Sequence, residues 1–402
     1  MGKKFITYTE SLDILNSISP LSNSTQTVYV ADSLDRILAK DIVAQENSPA
    51  FETSAMDGYA IQYKNIDDTI KIIDKNPAGS IVSSKVIDGT CIKTFTGSLM
   101  PEGSDTLVPI ENVTVVDDTI KIDTKVPKGF SVREVGENYK KGEILIKKGT
   151  KIDFAHIGVM ASLNIVQVEV YIKPKVSVAS TGSEILDVGQ LQTNDAQIRS
   201  SNHLTIEAIA KKYGAEVFQM GVVKDDKDSI TNLLRNALNS SDIVVTTGGV
   251  SVGDYDFVKD VIKDELGCEV LFHGVKIKPG QHILLAKYQD KYIVALPGFA
   301  YSSTVTFLLY VVPLIFKFKH SNETLKIVDA IIDEDYPKKA PKTVFSACNL
   351  EFRDGKYHIN FNGKKNGTSA ILTNMLDNPA LLIQTEDSKA LQKGDSVKVL
   401  VI

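Results

Sequence analysis

The chain has no tryptophan and only three cysteines among its 402 residues. Cys91, Cys268 and Cys348 are widely separated and odd in number, which suits neither a disulfide framework nor a zinc site. Each reads as a packed thiol in a reducing, cytoplasmic compartment. Clustered positive charge is also missing: no Lys/Arg run exceeds two residues and the formal net charge is −5, which argues against nucleic acid as the main partner. The N-terminal MGKKFITYTESLDIL lacks a continuous apolar stretch or a small-residue cleavage site, so export is not indicated. The longest apolar run, residues 305–316, contains Pro313 and is too short to span a bilayer. It reads as a buried helix with Ser302, Ser303 and Thr304 available as caps. There is no low-complexity tract and no repeat of solenoid period. What remains is a chain with a small ligand and no membrane partner, long enough at 43% hydrophobic for two to four domains with separate cores.

The most informative segment is DIVVTTGGVSVGDYD, residues 242–256. Val244 and Val245 read as a buried strand, and Gly248, Gly249 and Gly253 let backbone approach a ligand closely. A helix from about Tyr255 points its free N–H groups back at the loop. Such a turn suits a phosphorylated small molecule. It matches neither GxxxxGK[ST] nor GxGxxG, and an isolated TGG by itself reads rather as a plain strand-to-helix turn. A second loop of the same design, KVSVASTGSE at 175–184, suggests that the two line one crevice beyond the carboxyl ends of parallel strands. Between them lie a helical pattern at 202–213, a strand at 216–223 and a helix at 227–238, in β-α-β-α alternation. A helix near 257–266, strands near 268–273, 283–288 and 292–296 and a helix after Ser302 complete a doubly wound α/β domain over 173–322.

The flanks differ. Helical signals near 8–18 and 32–37, with a helix at 153–164 expected beside them, make residues 1–47 and 139–172 a helical and linker domain. Turn-rich β sequence between them, 48–138, reads as a small inserted β domain. Residues 323–402 return to strands without helices, near 325–332, 347–352, 357–362, 380–384 and 397–402, with Asp354-Gly355 as a hairpin signal. The fold class is therefore multidomain α/β plus β, with a C-terminal β-barrel-like domain.

Eight blocks then take on a collective meaning: SPAFETSAMDGYAI (48–61), IKTFTGSLMPEGSDTLVPIE (92–111), VREVGENYKKGEILIKKGT (132–150), STGSEI (180–185), IRSSN (198–202), TTGGVSVGDYDF (246–257), VKIKPG (275–280) and LPG (296–298). Their order and wording resemble the molybdopterin molybdenumtransferase (MoeA) family, which shares them with a domain of gephyrin. The resemblance runs over essentially the whole chain. It implies an elongated homodimer of four-domain subunits with a molybdopterin-binding α/β domain. The implied reaction is Mg²⁺-assisted insertion of molybdenum from molybdate into adenylylated molybdopterin with release of AMP, and other cofactor-maturation proteins are possible partners. Both reactants are anions, so such a site needs backbone donors, lysine charge and a divalent cation held by carboxylates.

By the same resemblance Asp57, Glu184, Asp225, Asp256 and Lys278 are the catalytic candidates, with Asp57, Glu184 and Asp256 as metal ligands. Asp57 is implied to reach the α/β crevice of the other subunit; otherwise it is a turn residue beside Gly58. Thr96, Thr181, Gly182, Gly248, Gly249, Ser251, Gly253 and Pro297 are the candidates for cofactor contact, Thr96 through its hydroxyl or else as an ordinary turn residue. Of the neighbours Asp225 and Asp226, one suits the cap of the following helix. Asp256 lies where a helix dipole also favours an acid.

Several positions depart from the family pattern. The usual GED is Gly136-Glu137-Asn138, which replaces a carboxylate by an amide. The usual PGK is Pro279-Gly280-Gln281, which removes a cation, and LPGNP becomes Leu296-Pro297-Gly298-Phe299-Ala300. The arginine expected near VFSACNLEF is missing, and the QGS-like turn survives as Asn366-Gly367-Thr368-Ser369. Besides an active insertase, the sequence therefore admits a weakened or tungstate-preferring binding paralogue, and a scaffold by analogy with gephyrin.

Overall fold

The structure is a computed structural model and describes residues 5–19, 24–250, 257–365 and 369–402. Two compact units emerge: Met1–Ala39 with Gly149–Asp153 and Gln167–Ile402, and Lys40–Lys148 with Phe154–Val166.

The second unit is organised by a six-stranded sheet in the order Thr106–Pro109, Gly58–Ile61, Thr90–Thr94, Thr69–Asn76, Thr119–Ile122, Val113–Val116. Its core is Tyr59, Ile61, Ile66, Ile70, Cys91, Val108, Ile120 and Val126. The chain enters and leaves along short paired strands, Ile42–Val43 with Ile144–Ile146 and Thr53–Ser54 with Val132–Arg133. The helix expected at 153–164 forms as Phe154–Ser162, yet it groups with this β-rich unit rather than with the early helix.

The first unit begins with the helix Tyr8–Ser17, fixed by a capping box in which Thr7 N donates to Glu10 (2.7 Å) and Glu10 N donates to Thr7 Oγ1 (3.1 Å). The helix expected at 32–37 is only a 3₁₀ turn, Val30–Ser33, because Asp35 takes φ +62° and redirects the chain. Leu38 then bonds the carbonyl of Thr150 (2.9 Å) instead of continuing a helix.

The central sheet of this unit runs Glu216–Val223, Lys175–Thr181, Ile243–Thr247, Lys291–Leu296, Leu284–Tyr288, Glu269–His273. The first four strands are parallel and the last two turn back as an antiparallel meander. Period-two alternation decides the two faces. Ile243 and Val245 pack with Ile206, Ala210 and the helices beyond residue 300, while Val244 packs with Ile230, Leu234, Val258 and Val261. Ala300–Phe318 is a continuous, mostly buried helix of 19 residues, and among the described residues it alone is long and apolar enough to cross a membrane. Pro313 follows a wide-turn stretch, Phe307–Val311, which absorbs the missing proline N–H. Ser302, Ser303 and Thr304 do not cap it as expected. They lie inside, Ser303 and Thr304 donating back to the Ala300 carbonyl (3.0 and 2.8 Å), and Phe299 occupies the cap position.

The C-terminal strands close a barrel: Thr343–Arg353, Lys356–Asn360, Ile327–Ile332, Ser396–Val401 and Pro379–Gln384, with the last pairing back to the first. Asp354 and Gly355 both take positive φ, 51° and 75°, the conformation of a two-residue hairpin turn. Ile277–Lys278, a two-residue strand from the α/β part, adds in parallel to Thr343–Val344 at the barrel's side.

All three cysteines are buried and free of disulfides. Burial pushes the Cys91 and Cys348 thiols up to about 12 and Cys268 to about 11, so the thiolate is scarce at pH 8. Native protein treated with iodoacetamide at pH 8 is expected to remain unlabelled by mass spectrometry, and guanidinium-unfolded protein to take up three labels. Rapid native labelling would contradict the packing.

Candidate functional site

A cavity of about 970 Å³ opens where the first and third parallel strands end. These strands, Lys175–Thr181 and Ile243–Thr247, are sheet neighbours, but the chain passes through Glu216–Val223 between them. This is the point at which the strand order reverses, and the loops that follow must part. Ser180 and Thr181 line the cavity from one strand, Thr247, Gly248 and Gly249 from the other, with Asp225 after the second strand and Pro297 and Gly298 after the fourth. Ala340, Lys342 and Ser369 contribute from the barrel part.

Glycine is required at the floor. Gly248 has φ +98°, and a Cβ there would stand 2.7 Å from the Thr181 carbonyl oxygen and 2.9 Å from Thr181 Oγ1. Gly182, at φ +149°, has the two Glu184 carboxylate oxygens 3.0 Å from where its Cβ would be. The acid is thus folded over its own turn.

The Asp225–Asp226 pair divides its work. Asp226 caps the helix Lys227–Ser240, accepting from Ser229 N and Ser229 Oγ (both 2.8 Å), and these bonds hold its carboxyl below the usual range. Asp225 remains at the cavity, half-buried. Glu184 and Lys278 are exposed and line the same space. Ser251, Gly253 and Asp256 lie outside the described residues.

Asp57 and Thr96 belong to the β-rich unit, where they are in direct contact. Asp57 Oδ1 accepts from Thr96 N and from Thr96 Oγ1, each at 2.8 Å. First the backbone bond, then the hydroxyl, hold this exposed carboxyl below the ordinary aspartate range. The structure therefore joins the ten described candidates into two groups: Glu184, Asp225, Lys278, Thr181, Gly248, Gly249 and Pro297, with Gly182 beside them, around the cavity, and the Asp57–Thr96 pair.

Sequence reasoning missed a buried polar chain. His203, 3% exposed, lies 3.2 Å through Nε2 from Asp187 Oδ1 and 2.7 Å through Nδ1 from Ser200 Oγ. Ser200 continues to Ser180 (3.3 Å), and Ser180 to Thr247 Oγ1 (3.0 Å). In the neutral imidazole the Asp187 carboxylate fixes the proton on Nε2, leaving Nδ1 to accept from Ser200. Asn202 Nδ2 donates to the Gly298 carbonyl (2.6 Å), tying the helix start to the Pro297–Gly298 turn. The block IRSSN was the available signal for Ser200 and Asn202; nothing in the pattern marked His203.

An α/β domain with glycine-lined turns and carboxylates at its switch point is the architecture of a protein that binds a phosphorylated ligand. Comparison with known proteins makes this specific. Residues 6–164 match the family model "MoeA N-terminal region (domain I and II)" and residues 177–317 the model "Probable molybdopterin binding domain". A molybdopterin molybdenumtransferase from Staphylococcus aureus (strain COL) is 36% identical over 332 residues, 79% of this chain and 78% of that one. That of Haemophilus influenzae is 31% identical over 350 residues, 86% and 84% of the two chains. The solved molybdopterin biosynthesis moeA protein from Pyrococcus horikoshii OT3 superposes with a TM-score of 0.85 at 28% identity, covering 99% of this chain and 100% of that one. The chain belongs to the molybdopterin molybdenumtransferase (MoeA) family, and its general role is transferase-type maturation of the molybdenum cofactor.

Two outcomes test this geometry. Gly248→Ala forces a side chain onto Thr181 at a positive φ and is expected to lower stability by roughly 1–3 kcal/mol in urea denaturation; an unchanged midpoint would refute the close approach. Thr96→Val removes one donor, so the Asp57 carboxyl, followed by NMR titration, is expected to move up towards the ordinary value. Its depressed value means that whatever stability the bonds give is present above the unfolded value and lost as pH falls through the folded one. An unmoved midpoint would show that the hydroxyl bond is not made in solution.

Proposed function

We propose that this chain inserts molybdenum from molybdate into adenylylated molybdopterin with release of AMP, acting as a cytoplasmic homodimer that works with Mg²⁺. The observation that carries the reading is the meeting of Glu184, Asp225, the Gly248–Gly249 turn and Lys278 on one cavity at the sheet's switch point. The turn supplies backbone N–H groups to a phosphate, and Lys278 offsets its charge.

Among the described residues no group of three or more His, Cys, Asp or Glu side chains is set to hold a metal ion. Two carboxylates at one cavity nevertheless suit Mg²⁺, which usually takes one or two carboxylates together with substrate phosphates. Glu184 and Asp225 would hold it, with Asp256 and the partner subunit's Asp57 as further ligands. When bound, the ion neutralises charge on the diphosphate. The rest falls to the chain itself. The Ser180–Thr247 hydroxyls fix the floor, Asn202 holds the Pro297–Gly298 turn in place, and Asp57, kept ionised by Thr96, handles molybdate or metal.

Phe299, 62% exposed at the cavity, and Gln281 favour a second reading: a weakened or tungstate-preferring molybdopterin-binding paralogue. Purified protein incubated with adenylylated molybdopterin and Mg²⁺ is expected to release AMP and retain metal only when molybdate is added. AMP release with tungstate alone would install the second reading, and no AMP with either oxyanion would remove the enzymatic one.

A further inference from the structure

The cavity has a cation that no sequence motif marked. Ile277–Lys278 pairs in parallel with Thr343–Val344, and Thr343 N donates to the Lys276 carbonyl (3.1 Å). Residue 342, just ahead of that barrel strand, is thereby carried to the Pro279-Gly280-Gln281 turn. Its backbone is pinned from the other side, where the Lys338 ammonium donates to the Lys342 carbonyl (2.7 Å) and to the Gln384 carbonyl (3.1 Å). The half-buried Lys342 side chain lines the cavity and donates through Nζ to Gln281 Oε1, while Gln281 Nε2 is 2.8 Å from His282 Nε2. A neutral amide thus holds the ammonium in place without cancelling its charge.

The charge balance of the lining calls for such a group. Glu184 and Asp225 bring two negative charges to a space proposed to admit polyvalent anions. Arg199 is also present, but its guanidinium is turned to the Gln190 carbonyl (2.7 Å). Arg199 and Lys278 together only match the two carboxylates, so a third cation is needed before the lining carries net positive charge.

We infer that Lys342 is the second anion-binding cation of this cavity and that, paired with Lys278, it sets the affinity for an oxyanion of more than one charge. Gln281 acts as its positioning residue, so the neutral side chain at 281 is joined by a charge from the barrel. The guest's identity rests on the proposed function; the cation assignment does not. The shared chemistry is a polyvalent oxyanion, which the diphosphate of the substrate or molybdate itself would supply.

The test is calorimetric titration of the full-length protein with inorganic pyrophosphate and, separately, with molybdate at low salt. Lys342→Ala is expected to weaken at least one of them about tenfold, a typical loss for one charge-assisted contact. The arm affected names the oxyanion. Gln281→Lys in the Lys342→Ala background is expected to recover most of the loss. Lys342→Gln, which keeps a polar contact to residue 281 but no charge, should bind as weakly as the alanine variant and decides the matter if that one fails to fold. Wild-type affinity for both anions in the variants overturns the assignment, as does a double variant that binds no better than Lys342→Ala. Lysine-dependent anion binding without AMP release in the presence of either molybdate or tungstate would sustain this inference while removing the enzymatic reading.

Discussion

The site depends on backbone approaching backbone at the carboxyl end of the parallel sheet. Gly248 lies so near Thr181 that a single methyl group would meet both its carbonyl and its hydroxyl, and a Cβ on Gly298 would be 3.6 Å from Gly248 Cα. Three turns from three strands therefore share one floor. The helices Asn202–Lys212 and Lys227–Ser240 pack on opposite faces of the sheet, through Ile206 and Ala210 on one side and Ile230 and Leu234 on the other. That divergence opens the crevice, and the glycines keep it shallow enough for N–H groups to reach a guest.

On this floor the walls differ in kind. The α/β side brings Glu184, Asp225 and a buried relay from Asp187 through His203 to the Ser200, Ser180 and Thr247 hydroxyls. Hydroxyls buried in such a chain are held in place by one another before any ligand arrives, so little reorganisation is needed on binding. The other side brings Lys278, on one of two paired strands, and Lys342, just ahead of the other. Because Ile277–Lys278 is hydrogen-bonded into the barrel's sheet, the position of Lys278 is a property of the barrel as much as of the α/β domain.

Much of this was legible in the residues, and the reasons differ by element. The Ile243–Thr247 strand, the TGG turn and the Asp354-Gly355 hairpin announce themselves because period-two burial and positive φ leave marks on sequence. Glu184 and Asp225 were marked by the family resemblance, and their places just after strand ends agree with the cavity that both line. Failures occurred where tertiary contacts overrode local pattern. Residues 32–37 look helical, yet Asp35 turns left-handed and Leu38 finds Thr150. Ser303 and Thr304 look like caps but bond back inside an apolar helix. His203 and Lys342 were invisible, since each acquires its role from a partner distant in sequence or in another layer.

The departures from the family pattern then take on different weights. Asn138 stands in the β-rich unit, its backbone N donating to the Ser48 carbonyl (2.8 Å) and its amide 3.5 Å from Ser48 Oγ, so the exchange of acid for amide keeps a local fold while giving up a charge. Gln281 instead retains a link to positive charge through Lys342. Phe299 has no such compensation: it caps the Ala300–Phe318 helix without a side-chain hydrogen bond and leaves an aromatic ring at the cavity. An apolar face in a cavity lined by charged groups excludes water and lowers the local dielectric, which strengthens the fields of lysines and carboxylates alike. The ring at 299 therefore bears on a lining whose charges come from Glu184, Asp225, Arg199 and Lys278 on the α/β side and Lys342 on the barrel side.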